Sequence, residues 1–300
     1  MDLRQMEYFV KVVSHGSFSK AAEALHISQP SLSKSIQNLE KELGAPLLER
    51  TTREFRLTDT GRLLCERSTA ILQQVKMLKE EIKENINGDR AEIRIGMIES
   101  AHKWFTTLMA IHRESYPLNT FTVMDTLYNE TVLEALLRYD VHAAVTNQEL
   151  INDQVQAVPL YEERFVAVFP ETHPLSLCEF IRLDDLCKYP LVLGMPSFRT
   201  RNQITAAFKK AGLTPDIQFQ IERFEMAKKV VEQKMGIALL PENYLSGDLP
   251  KTLSFRPIED EYLKRNVYFC FVKTRHFPAS VTNFFDLVKE QFGESPQPAE

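Results

Sequence analysis

Three hundred residues, 44% of them hydrophobic and 26% charged, are enough for two or three domains, and the balance excludes a disordered or collagen-like chain. There is no N-terminal apolar segment of signal-peptide type and no apolar run of about eighteen residues, so a cytoplasmic chain is expected rather than a secreted or membrane-spanning one. The net charge of −5, with eight Lys/Arg against eight Asp/Glu in residues 1–60, excludes bulk attraction as a route to nucleic acid; any such binding must come from local placement of charge and from several copies acting together.

The first predicted element is a helix over LRQMEYFVKVVSHG, with Leu3, Met6, Val10 and Val13 at helical spacing. A second helix opens at Ser17, a good N-cap, and repeats Phe18, Ala21, Ala22 and Leu25. After a tight turn a third opens at Ser28 with Pro30 in its first turn, where a missing N–H costs nothing, and turns Leu32, Ile36, Leu39 and Leu43 inward. Ser33, Lys34, Gln37 and Lys41 then fall on the opposite face, with Gln29 at the N-terminal tip, a set rich in hydrogen-bond donors. GAPLLERTTREFRLTDTG reads as a wing carrying Arg50, Arg53 and Arg56. Three helices and a basic wing make a winged helix-turn-helix, whose reading helix enters the major groove with Gln29, Ser33 and Lys34 as base readers. The competing reading, an amphipathic helix pair with a merely solvated face, does not explain the flanks.

From Thr58 to about Asn87 the chain lacks proline and repeats Leu64, Ser68, Ile71, Val75, Leu78 and Ile82 at alternating four- and three-residue steps, a heptad seam backed by charged residues. The seam is either a subunit interface or a face packed within its own subunit. Beyond NINGDR the pattern changes to alternating strands and helices. Strands are predicted at AEIRIGMIE, TFTVMD, AAVT, near 164–169, 191–193, 217–220 and 237–240, and at NVYFCFV. Helices are predicted over SAHKWFTTLMAIHRESYP, ETVLEALLRYD, 200–211, 225–234 and up to Phe292, giving parallel α/β units.

Residues 1–61 follow the pattern F..V...GSFS.AA..L..SQPS.S..I..LE..LG..LL.R....LT..G, and on that ground the chain resembles the LysR-type transcriptional regulators. The resemblance implies base or backbone contacts at Ser28, Gln29, Pro30, Ser31, Ser33, Lys34 and Gln37, with Arg50 and Arg53 against phosphates or the minor groove. Lys34 stands where Arg is commoner, which weakens bidentate reading of guanine. It also implies an α/β fold with an N-terminal all-α winged helix-turn-helix (1–58), a long linker helix that dimerises (59–87), and a two-lobed, periplasmic-binding-protein-like effector domain (91–300). Lobe I is expected at about 91–162 and 267–300 and lobe II at about 163–266. The seam residues Leu64, Ile71, Val75, Leu78 and Ile82 would join two copies, spacing two reading helices for an interrupted inverted repeat in double-stranded DNA, as a homodimer or homotetramer. RNA polymerase is a further possible partner.

Further landmarks of the family, IRIG, YP, HPL and GIALLP, stand at Ile93, Tyr116, His173 and Gly236, but VHAA replaces the usual LD.A, putting His142 where an acid is common. His142 is expected at a surface or interface. Effectors in open α/β sheets lie beyond the carboxyl ends of strands at helix N-termini. Ser100, Ala101 and His102 follow the first strand, and Ser197, Phe198, Arg199 and Thr200 precede or open a later helix. Tyr128, Asn129, Thr146 and Asn147 match further lining positions. With Arg199 and Arg201 available and no acid expected in the inner ring, the effector is expected to be a small organic anion. The alternative is that Ser100 and Thr200 only cap helices and the arginines only make surface pairs.

No G-x-S-x-G, H-E-x-x-H or P-loop motif occurs, so no enzyme and no cofactor is expected. Cys65, Cys178, Cys187 and Cys270 form no C-x-x-C and lack histidines at metal spacing, so reduced thiols and no metal site are expected. Redox sensing, known in the family, would use positions matching Arg199 and Phe208, where this chain has no cysteine. The alternatives left open are a regulator without a ligand, one with redox sensing, and a solute-binding protein; the last leaves residues 1–87 unexplained.

Overall fold

The computed structural model describes residues 1–49, 56–87, 90–125, 132–245 and 249–293, and the chain divides into two compact units, Met1–Lys83 and Glu84–Glu300. In the first, helix α1 (Leu3–His15) opens with a reciprocal capping box between Asp2 and Gln5 and ends at Gly16, whose φ of 59° is left-handed and suits glycine. Helix α2 (Phe18–Ala24) is capped by Ser17, and α3 (Gln29–Leu43) by Ser28 with Pro30 in its first turn. Phe9, Val12, Ala21, Ala22, Leu32, Ile36, Leu39 and Leu47 form their shared core.

Two expected core positions differ. In α1 the buried face is Met6, Tyr8, Phe9 and Val12, and Leu3 is exposed; Val10 and Val13 sit only at its margin. In α3 Leu43 is 37% exposed, because the chain turns away at Gly44 and the core takes Leu47 instead. Leu48 and Leu57 pair antiparallel, with the Glu49 N–H donating to Arg56 O at 2.9 Å; residues 50–55, at the tip of the expected wing, lie outside the described set. A Cβ on Gly61 would run into the Leu47 carbonyl oxygen, which gives that glycine a packing reason.

Helix α4 spans Asp59–Asn87, and the Thr58 hydroxyl accepts the Gly61 N–H at 3.0 Å at its start. Leu64 packs against the helical core of its own unit, whereas Ile71, Leu78 and Ile82 are exposed, the last two by more than half. Val75 is half-buried. Among the described residues no helix is long and apolar enough to cross a membrane.

The second unit is built on strands β1 (Glu92–Met97), β2 (Thr120–Asp125), β3 (Ala143–Thr146), β4 (Val155–Pro170), β5 (Leu191–Gly194), β6 (Ile217–Ile221), β7 (Ile237–Pro241), β8 (Leu253–Pro257) and β9 (Lys264–Val272). Their order is β2-β1-β3-β9-β4-β7-β5-β6, with β8 on β4. β1, β2 and β3 are parallel, as are β5, β6 and β7, so two α/β lobes are present. β4 and β9 join them as an antiparallel pair. The first part of β4 runs along β9, and the second, Phe165–Pro170, pairs with β7 and β8.

Helices α5 (His102–Ser115) and α11 (Ala279–Phe292) cover lobe I, whose core includes Ile93, Ile95, Phe105, Phe269 and Phe284. In lobe II, α8 (Arg199–Lys210) packs with Phe165, Phe169 and Leu191 on one side, and α9 (Phe224–Glu232) with Val166, Val168 and Val192 on the other. Short helices α6 (Val132–Leu137), α7 (Leu183–Leu186) and α10 (Glu242–Leu245) complete the set described. β4 is longer than the sequence pattern predicts, since residues 155–164 are mostly polar or only partly buried and give no clean strand periodicity, and β8, only partly buried beyond Leu253, is unforeseen.

Candidate functional site

On α3, Gln29, Lys34, Gln37 and Lys41 are exposed and Ser33 is half-buried, so the donor-rich face stands clear of the core formed by Leu32, Ile36 and Leu39. The Ser28 and Ser31 side chains are engaged in capping: Ser28 Oγ lies 2.8 Å from Ser31 Oγ and accepts the Ser31 N–H. Glu40 is turned inward, accepting the Leu47 and Leu48 N–H groups at 2.8 and 3.4 Å, which takes its charge off the donor-rich face and holds the start of the Leu48–Leu57 pairing. Arg56 is exposed. Arg50 and Arg53 lie outside the described residues, as do Tyr128 and Asn129 of the expected effector site.

The remaining effector-site residues sort into two groups. Ser100, in a 3-10 turn between β1 and α5, and Thr200, in the first turn of α8, are brought to one place by two residues that sequence reasoning missed. Glu163 on β4 and Arg265 on β9 face each other in the ladder where these strands pass between the lobes. Arg265 Nε donates to Glu163 Oε1 at 2.7 Å, Nη1 to Thr200 Oγ1 at 2.8 Å and Nη2 to Ser100 Oγ at 3.2 Å, while Ser100 Oγ donates to the same Glu163 Oε1 at 3.0 Å. The Glu163 side chain is fully buried, and its Oε2 has no hydrogen-bond partner among the described residues.

This corrects the expectation that no acid sits in the inner ring. The available signal was the pairing of YEERF with LKRNV, opposite charges at the junctions of two strands, but only the register makes it visible.

The other residues are placed less centrally. Ala101 and Thr146 are buried, and Thr146 Oγ1 accepts the Gln148 N–H. Asn147 is half-buried, and His102 and Ser197 are exposed. Phe198 is buried, Arg199 is exposed, and Arg201 donates to the Gly194 carbonyl at 3.2 Å rather than facing an open position.

Further bonds cross between the lobes. Glu99 Oε2 accepts the Phe224 N–H at 3.1 Å, and Arg223 pairs with Asp125. Burial raises the Glu99 carboxyl above its ordinary range, against the lowering pull of that N–H and of Arg223. Tyr161, which accepts from Trp104 Nε1 at 3.1 Å, is pushed up to about 12 by burial and by the nearby Glu163.

His142 is buried rather than at a surface. Its Nε2 lies 2.8 Å from Glu84 Oε1, and its Nδ1 accepts the Arg94 N–H at 2.8 Å. Glu84, near the end of α4, also accepts from Arg275 Nη2 at 2.8 Å and Arg94 Nη2 at 3.2 Å.

Burial raises Cys65, Cys187 and Cys270, the last to about 12, whereas a reactive cysteine needs a lowered value. Among the described residues no group of three or more His, Cys, Asp or Glu is placed to hold a metal ion.

Comparison with known proteins bears on both units. The family described as "Bacterial regulatory helix-turn-helix protein, lysR family" matches residues 3–62, and "LysR substrate binding domain" matches residues 87–293. The chain is 29% identical over 299 residues to the transcriptional dual regulator GltC of Bacillus subtilis (strain 168), covering 99% of each. It is 28% identical over 253 residues to the DNA-binding transcriptional dual regulator OxyR of Escherichia coli (strain K12), covering 80% of this chain and 79% of that one. Full-length BenM is similar in structure, with a TM-score of 0.58 at 26% identity over 99% of this chain and 100% of that one. CbnR complexed with its target DNA shares the fold at a TM-score of 0.56 and 24% identity, over 98% and 100%.

Proposed function

We propose that this chain, which belongs to the LysR family of transcriptional regulators, binds an interrupted inverted repeat in promoter DNA as a homodimer or homotetramer and answers to a small organic acid held between its two effector lobes. The observation that carries the reading is the exposed donor face of α3, with Gln29, Lys34, Gln37 and Lys41 outward and the Glu40 carboxylate turned away into backbone bonds. Such a face suits base edges and phosphates in a major groove.

Self-association is supported by exposed apolar side chains on two elements. Ile71, Leu78 and Ile82 are exposed along α4, and β2 is an edge strand on which Val123 is exposed. The DNA-bound CbnR neighbour and the regulator relatives are consistent with a DNA target. The chain works in the cytoplasm, with RNA polymerase as a further partner at the promoter, and catalyses no reaction. Oxidant sensing, suggested by the OxyR relative, is disfavoured by the raised thiols of Cys65, Cys187 and Cys270.

The test is a mobility shift on DNA from upstream of the chain's own coding region, compared with random DNA. Gln29→Ala should cost about 1–3 kcal/mol on the specific fragment and little on random sequence. Equal losses on both would remove Gln29 as a base reader, and no shift of the upstream fragment by the parent protein would count against the promoter assignment.

A further inference from the structure

An organic acid seeking Ser100 and Thr200 finds an acid already there. Glu163 Oε1 receives Arg265 Nε and the Ser100 hydroxyl, and Arg265 spends its remaining contacts on Ser100 and Thr200. The guanidinium and carboxylate balance each other, so the pair offers no net positive charge to a second anion. One group at this junction is left wanting: Glu163 Oε2, on a side chain with 0% exposure, has no hydrogen-bond partner among the described residues, and an acceptor of that kind is satisfied only by a donor.

We infer that Glu163 sets the effector specificity of the site: it rejects a plain carboxylate at Ser100 and Thr200 and selects an acid that also carries an amine, whose N–H groups complete Glu163 Oε2. This rests on the effector reading above. It narrows the ligand from any small organic acid to an amino acid or a related ammonium-bearing acid. The acid end then lies away from Glu163, since two carboxylates in one buried position repel and neither is easily desolvated.

The inference is tested on full-length protein by thermal shift, using pairs of compounds that differ only in the amine: L-glutamate with glutarate, L-alanine with propionate, and L-phenylalanine with 3-phenylpropionate. The parent protein should be stabilised by at least one amino member and by no desamino member. Glu163→Ala removes the resident acid and leaves Arg265, Ser100 and Thr200 facing a gap the size of acetate. Acetate should then raise its melting temperature by about 2–4 °C while leaving the parent unmoved.

Should Glu163→Ala fail to fold by circular dichroism, Glu163→Gln keeps the volume and leaves Arg265 unneutralised; its affinity for acetate should exceed the parent's by about tenfold, a difference of about 1.4 kcal/mol. A parent stabilised as well by desamino as by amino acids would overturn the inference, as would a folded Glu163 variant that gains no carboxylate binding. Gain of acetate binding by a variant supports the exclusion of plain acids even where no amino compound in the set binds the parent. Binding of upstream DNA by the same preparations is read separately. Its absence in the parent would strike the regulator reading alone.

Discussion

The His142 ring accepts the Arg94 N–H at Nδ1, so its proton sits on Nε2 and points at Glu84, which makes the buried imidazole a neutral donor rather than a cation. Burial holds His142 below its ordinary value, in keeping with that role. Burial alone would raise Glu84, but the His142 bond and the charges of Arg275 and Arg94 bring it below the usual carboxylate range. One acid thus serves two guanidinium groups, and Arg275, fully buried at its side chain, has no other carboxylate among its described partners. Glu84→Ala should therefore cost about 3–5 kcal/mol in urea unfolding, because it leaves buried positive charge uncompensated. His142→Asn keeps an acceptor for Arg94 and loses only the donor to Glu84, so a loss of about 1–3 kcal/mol is expected. Equal losses for the two variants would mean that packing, not charge, makes the cluster important.

Helices show why some of this was legible in the sequence and some was not. The reading face of α3 and the span of α4 follow from caps and a 3.6-residue period, which act within a few residues: Ser17, Ser28, Pro30 and Thr58 mark the starts, and Gly16 and Gly44 the ends of α1 and α3. Leu43 misled because periodicity assigns a face but not the point at which partner helices stop covering it. Glu163 and Arg265 are 102 residues apart and meet only through the register of β4 and β9, and no local pattern reports register. His142 likewise needed Glu84, 58 residues away, to explain its burial. For α4 the sequence left two readings of the heptad seam, and Leu78, 56% exposed, is the position at which they are tested. Leu78→Asp should leave the fold and its circular dichroism unchanged while weakening self-association at least about tenfold, since a seam would bury an unpaired charge. Sedimentation velocity across a concentration series decides; an unchanged oligomer would place the interface elsewhere.

Across the whole molecule, stability and pH are linked through groups whose proton affinity differs between the folded and unfolded chain. His102, His112, His142 and His173 are all lowered below the ordinary histidine value, with burial the leading cause in each. A histidine depressed in the folded state binds its proton more readily when unfolded, so its contribution to stability is present above about pH 6.5 and is lost as the pH falls below it. Glu84, also lowered, acts in the same direction at more acid pH. Glu99 opposes them, because a raised carboxyl is relieved by protonation. Four histidines against one carboxylate give a net sign: the melting temperature should fall between pH 7.5 and pH 5.5. His142→Asn lowers stability at pH 7.5 but removes one of the four protonation sites, so its melting temperature should fall less over that interval than the parent's. Thermal unfolding of both proteins at matched ionic strength measures the difference. A parent curve flat across the interval would mean that the histidines take up protons in the folded state, and a steeper fall in His142→Asn would exclude His142 from the acid response.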